Sequence, residues 1–236
     1  MTLLIALFFS CLAKAGIQID TTRVVFPAQQ REVFFSLSNR GDSPALVQVW
    51  IDQGDFDSKQ EDADAPFIAN PPIFRLDGKK GKSVGLMFTG ESLPQDRESL
   101  FWLNVLEIPH MPKDANSNFM QFAVRSRLKL FYRPEILSGD ISEEIKKVNW
   151  TIVSLSNGNY ALRGENTGPY YLSYNKLELI QNDKKIDLGG GMINPFEKRD
   201  FTSKIPIKIN NQSKIRYQWM SDYGVSPEEE QFIKHK

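Results

Sequence analysis

The sequence predicts an all-β protein made of two immunoglobulin-like β-sandwich domains. Short runs of alternating apolar and polar residues follow one another every ~8–15 residues, separated by turn residues. Stretches with a helical period are scarce. The 236 residues are 41% hydrophobic and 11% aromatic, with 16 Phe, enough apolar side chains to fill two cores. Charge is balanced, 29 basic against 29 acidic residues, so composition gives no support for binding nucleic acid or a membrane surface.

Residues 1–15, MTLLIALFFSCLAKA, read as a cleavable signal peptide. Thr2 to Leu12 is largely apolar, and Ala13-Lys14-Ala15 fits the small-x-small pattern before Gly16. The run is too short to span a bilayer, so direct membrane insertion is not expected. Cleavage would remove Cys11, the single cysteine, leaving a chain without disulfides that relies on its cores. An exported, disulfide-free protein points to a bacterial envelope.

A first domain is expected over 16–135. Its runs are Ile17–Phe26, Arg31–Ser38, Ala45–Asp52, Lys82–Thr89 and Leu100–Ile108, with Asp52–Pro66 as a loop and Pro71-Pro72 as a break. The longest run is Asn118–Pro134, about fifteen strand-like residues where ~5–6 is usual. Met120, Phe122 and Val124 alternate with Gln121, Ala123 and Arg125, the signature of a strand with two unlike faces. Arg125, Arg127 and Lys129 then recur at every second position, and Pro134 ends the run because proline cannot donate to a ladder. A strand so long must reach past its sheet or lie along an edge. A second domain is expected over 136–236. It has runs at Trp150–Ser156, Asn159–Asn166, Tyr171–Gln181, Lys184–Leu188, Lys198–Ile207 and Lys214–Asp222, with Gly189-Gly190-Gly191 as a turn.

Catalytic and metal-binding patterns are missing. His110 and His235 have no neighbour at ligand spacing, and no G-x-S-x-G elbow occurs. Gly81-Lys82-Ser83 resembles the end of a phosphate loop, but Leu76 stands where its first glycine is required. No enzyme, cofactor or metal is expected. Read from the residues alone, Arg23 and Lys129 are surface charges on strands, and Met120, Phe122 and Val124 fill the protein's own core.

Two blocks are more specific: Leu93–Trp102 with Asn104, Glu107, Ile108 and Pro109, and Leu128-Lys129-Leu130-Phe131-Tyr132-Arg133-Pro134. They resemble the signature blocks of the periplasmic pilus (fimbrial) assembly chaperones, the PapD-like family. Thr22–Phe26, Asn70–Leu76, Glu165-Asn166, Pro169-Tyr170-Tyr171 and Asp222-Tyr223-Gly224 resemble further family segments in the same order. The resemblance implies two sandwiches in a boomerang arrangement and a protein that binds, folds and caps pilus subunits before delivery to an outer-membrane usher. It assigns Arg23 and Lys129 to the subunit's C-terminal carboxylate. It makes Met120, Phe122 and Val124 the side chains donated to the subunit's groove, and Glu98, Arg133 and Asp222 an ion-pair network between the domains. The short segment Pro109–Asn118 resembles the rod-pilus group, although the cysteine pair common in that group's second domain is missing. An exposed apolar edge is also expected to drive a self-capping dimer. In a regular strand Lys129 points away from the face of Met120, Phe122 and Val124 unless a bulge intervenes. The alternative, from another class, is a secreted two-domain adhesin or carbohydrate-binding module, with Tyr170–Tyr174 as its weak aromatic candidate.

Overall fold

A computed structural model describes residues 16–110, 121–137, 139–156, 158–182, 184–207 and 213–233. The expected signal peptide and Met120 lie outside these residues. The first half holds β1 (Ile17–Ile19), β2 (Arg23–Pro27), β3 (Glu32–Asn39), β4 (Ala45–Asp52), β5 (Phe67–Asn70), β6 (Ile73–Leu76), β7 (Gly81–Phe88), β8 (Ser99–Pro109) and β9 (Val124–Arg133). A four-stranded sheet, β1-β3-β7-β5, faces a five-stranded sheet, β2-β9-β8-β4-β6. The alternation read from the sequence is the alternation of burial. Phe35 and Leu37 point inward from β3 while Phe34 and Ser36 face out, and Val47, Val49 and Ile51 fill the core from β4. Five rings, Phe26, Phe67, Phe88, Phe101 and Tyr132, meet between the sheets, Phe88 and Tyr132 at 4.7 Å. Burying each such side chain contributes ~1.5–3 kcal/mol.

After Pro134 a short helix, α1 (Ile141–Glu144), is capped by Asp140, whose carboxylate accepts from the Ser142 amide at 2.8 Å. It plugs the second core with Ile141, and the following turn adds Ile145. The second sandwich holds β10 (Asn149–Ser154), β11 (Tyr160–Glu165), β12 (Leu172–Gln181), β13 (Lys184–Asp187), β14 (Gly191–Ile193), β15 (Lys198–Phe201), β16 (Lys214–Trp219) and β17 (Glu228–Phe232). A sheet β10-β11-β15 lies over β13-β12-β16-β17, with β14 also paired to β12. Trp150, Tyr174, Tyr217 and Phe201 form the aromatic centre of its core.

Several expectations need correction. The run Ile17–Phe26 is two strands. The chain bends at Asp20–Thr22, so that β1 pairs with β3 in one sheet and β2 with β9 in the other. Among the described residues the long strand begins at Val124, and Gln121–Ala123 lies outside it, so Phe122 precedes the ladder. Gly191 opens β14 instead of closing a turn. β15 stops at Phe201, well short of Ile207.

Candidate functional site: an open strand edge that ends at two cations

β9 is covered unequally on its two edges. Its antiparallel ladder with β8 runs without a register shift from Val124 opposite Glu107 to Tyr132 opposite Ser99. Its parallel ladder with β2 begins only at Lys129, opposite Arg23, and ends at Arg133, opposite Pro27. Residues 124–128 therefore have a neighbour strand on one side and, among the described residues, an open edge on the other. Beside that edge Val124 is 54% exposed, and Phe122, just ahead of the strand, is 67% exposed. Neither fills the protein's own core, which β9 reaches through Leu128, Leu130 and Tyr132.

The unbroken ladder fixes which way each side chain faces. Val124 shares its alternation with Leu128, Leu130 and Tyr132. Arg125, Arg127, Lys129 and Arg133 stand on the opposite face. Lys129 and Val124 thus occupy opposite faces, and no bulge brings them together.

Where the open edge stops, Arg23 and Lys129 lie side by side across the parallel pair. Arg23 is 6% exposed. Its Nη1 donates to the Met220 carbonyl at 3.2 Å, its guanidinium lies over the Phe131 ring, and its Nε has no acceptor. Lys129 Nζ donates to Ser173 Oγ at 3.1 Å. Among the described residues neither cation is in a salt bridge. Burial holds the Arg23 pKa below its usual value, against the upward pull of Asp222 and Glu98. Burial, then the charge of Arg23, then that of Arg199 bring Lys129 down to about 8. A buried and a half-buried cation, neither of them in a salt bridge, form a site that an anion would stabilise. Arg199 escaped the sequence reading because its place is set by long-range pairing. Met192, whose carbonyl accepts from Arg199 Nη1 at 2.8 Å, lies opposite Ser173 across β12 and β14.

Arg133 closes the site from the other end of β9. Its Nε donates to Glu98 Oε1 at 2.8 Å, and its Nη1 to Asp222 Oδ2 at 2.7 Å in the second sandwich. Glu98 also accepts from the Tyr171 amide at 2.9 Å and donates its own amide to the Pro169 carbonyl. Burial raises the Glu98 pKa in spite of Arg133 and that amide. Burial alone would lower the Arg133 pKa, but Asp222 and Glu98 more than reverse it. Such a network fixes how two bodies meet more reliably than it adds stability. Gly224, at φ +77°, follows Asp222 in the turn that lies against Thr22, where a Cβ would fall 2.7 Å from Thr22 Oγ1. The aromatic stretch Tyr170–Tyr174 offers no sheet-face platform: Tyr170 and Tyr174 are core residues, and Tyr171 meets Phe131. Among the described residues no cluster of His, Cys, Asp and Glu could hold a metal ion, and no helix is long and apolar enough to cross a membrane.

Fold and site define a two-sandwich binding protein with one half-open strand edge. Residues 16–138 match the family described as pili and flagellar-assembly chaperone, PapD N-terminal domain, and residues 143–231 match the PapD C-terminal domain of pili assembly chaperones. The chain belongs to this family, whose members are not enzymes. It is 39% identical to a probable fimbrial chaperone, YadV of Escherichia coli K12, over 226 residues, covering 92% of this chain and 89% of that one. To the chaperone HifB of Haemophilus influenzae it is 40% identical over 234 residues, covering 95% and 92%. The crystal structure of YadV superposes with a TM-score of 0.79 at 35% identity, covering 93% of this chain and 100% of that one. SafB of Salmonella enterica, solved in complex with the SafA pilin, shares the fold at 24% identity and a TM-score of 0.75, covering 92% and 96%.

Proposed function

We propose that this chaperone captures a pilus subunit by adding its own β9 edge to the subunit's incomplete sheet, with the subunit's C-terminal carboxylate held between Arg23 and Lys129. The observation that carries this reading is the junction of an open edge with an unpaired cation pair. A strand laid along Val124–Leu128 and running parallel to β9 is stopped where β2 begins, and its last residue arrives at the two cations. Main-chain pairing supplies sequence-independent affinity, and Phe122 and Val124, together with Met120, supply apolar side chains to the partner's core. The ion-pair network of Glu98, Arg133 and Asp222 holds the second sandwich so that Ser173 and Met220 wall the anchor. The reading includes export to the periplasm by residues 1–15, delivery to an outer-membrane usher, and a division of the chain at 135–136. In the free protein it includes pairing of two open edges as a capped dimer.

The test is binding of a synthetic peptide with alternating apolar residues, made with a free C-terminal carboxylate and as its C-terminal amide. The acid should bind more tightly than the amide by roughly tenfold or more, since a charge-assisted bond contributes ~1.5–3 kcal/mol. Lys129→Ala should erase that difference and abolish recovery of a subunit complex from periplasm. Equal binding of acid and amide by the parent protein would refute the anchor.

A further inference from the structure

The half of β9 with the open edge has one neighbour strand and an inner face left exposed at Val124, yet it continues the ladder as far as Val124. What supports it lies on its other face. Asp52, the last residue of β4, is fully buried. One carboxylate oxygen accepts from Asn104 Nδ2 at 2.7 Å and Ser58 Oγ at 2.9 Å. The other accepts from the Gly54 amide at 2.7 Å and from Arg127 Nη2. Arg127 Nη2 also donates to the Asp55 carbonyl at 3.0 Å. Arg125 donates from Nη2 to Asn104 Oδ1 at 2.8 Å and from Nη1 to the Phe56 carbonyl at 2.7 Å.

The two guanidinium groups are also held by rings. Arg125 lies 4.9 Å from the centre of the Trp50 ring, and Arg127 lies 4.7 Å from that of Trp102. Phe56, 72% exposed, covers both at 5.9 and 5.7 Å. Burial would raise the Asp52 pKa, but bonds from Asn104, Ser58, Gly54 and Arg127 outweigh it and hold the carboxyl low. The loop after β4 is thus folded back over alternate residues of β9, the two that flank Ser126 on the face away from the open edge's apolar side chains.

We propose that Asp52, Arg125, Arg127 and Phe56 are positioning residues that keep 124–128 of the uncapped monomer extended and ready to pair, either with a second copy or with a subunit. The inference rests on the strand-donation reading and deepens it. A strand ordered in advance does not pay the ordering cost at the moment of capture. Loss of the bracket should lower the fraction of molecules competent to pair and weaken apparent affinity in proportion.

The test compares Asp52→Asn and Phe56→Ala with the parent protein. Phe56 is exposed, so its variant keeps the fold even if Asp52→Asn does not. Amide exchange across 124–128 should accelerate about tenfold or more, with 129–133 unchanged, because only the former lacks β2. Binding of the free-acid peptide should weaken by about the same factor, as expected for a reduced competent fraction, while the preference for acid over amide is retained. Unaltered exchange at 124–128 in both folded variants would overturn the inference, as would faster exchange with full peptide affinity. If the parent protein binds neither peptide, the strand-donation reading fails, and the exchange measurement still decides whether the bracket orders the strand.

Discussion

At the scale of single residues, the behaviour of Lys129 follows from its surroundings. Its pKa is lowered from 10.5 to about 8, by burial first and then by Arg23 and Arg199. Between these values the unfolded chain holds a proton that the folded protein has released, so this residue makes stability rise with pH across that window. Capture has the opposite sign. A carboxylate bound at Lys129 favours the ammonium form, so above pH 8 binding takes up a proton and weakens by up to ~tenfold per pH unit. The acid peptide should show this slope in a titration between pH 7 and 10, and its amide should not. A slope shared by both would place the titrating group elsewhere. The identities of these residues were legible only through motif resemblance. Nothing in composition distinguishes Arg23 from any strand-borne arginine; its lack of an ionic partner is a property of distances between segments remote in sequence. In the sequence Asp52 is merely the end of a run, since the groups that bury it come from β8, β9 and a loop.

Among the elements, strands with a buried and a solvated face could be read from period-two alternation. β4, Ala45–Asp52, is legible end to end because Val47, Val49 and Ile51 keep strict phase. β14 and β17 escaped. Gly191-Met192-Ile193 is too short to show a period and follows two glycines, and Glu228–Gln231 is polar on both faces. Its order comes from cross-strand charge, as where Arg216 meets Glu230. The run that ends in β9 looks longer in the sequence than the strand is, because apolar alternation continues through Phe122, which among the described residues precedes the ladder. β11 carries a sharper requirement. Gly164 lies opposite Trp150, and a Cβ there would fall 2.6 Å from Ile193 Cδ1 and 2.7 Å from the Trp150 ring. Gly164→Ala should therefore destabilise the second sandwich by ~1–3 kcal/mol through overpacking. A urea titration followed by Trp fluorescence would measure this, and an unchanged midpoint would show that the two sheets can separate at no cost.

At the scale of the whole molecule, two sandwiches are legible from length, strand spacing and the Pro134 break, whereas the contact between them is legible only through the family resemblance. Arg133, Glu98 and Asp222 come from three separate segments, and only the fold brings them within bonding distance. The junction gives the molecule a direction, because β2 closes one end of the edge and nothing described closes the other. A directed edge with a fixed terminus measures its partner as a gauge with a zero mark does. If the terminal carboxylate is held as proposed, each residue added to a partner's tail slides the pairing by ~3.3 Å and turns every side chain to the opposite face, and a second added residue turns them back. Affinity should consequently alternate with tail length: worse for one added residue than for two. Peptides differing only in the number of C-terminal residues would reveal this in a binding series, and a monotonic decline would mean that the carboxylate does not set the register. With the carboxylate anchored as proposed, such a chaperone would discriminate by parity, a property that its partners carry in the length of their chains and not in the identity of any residue.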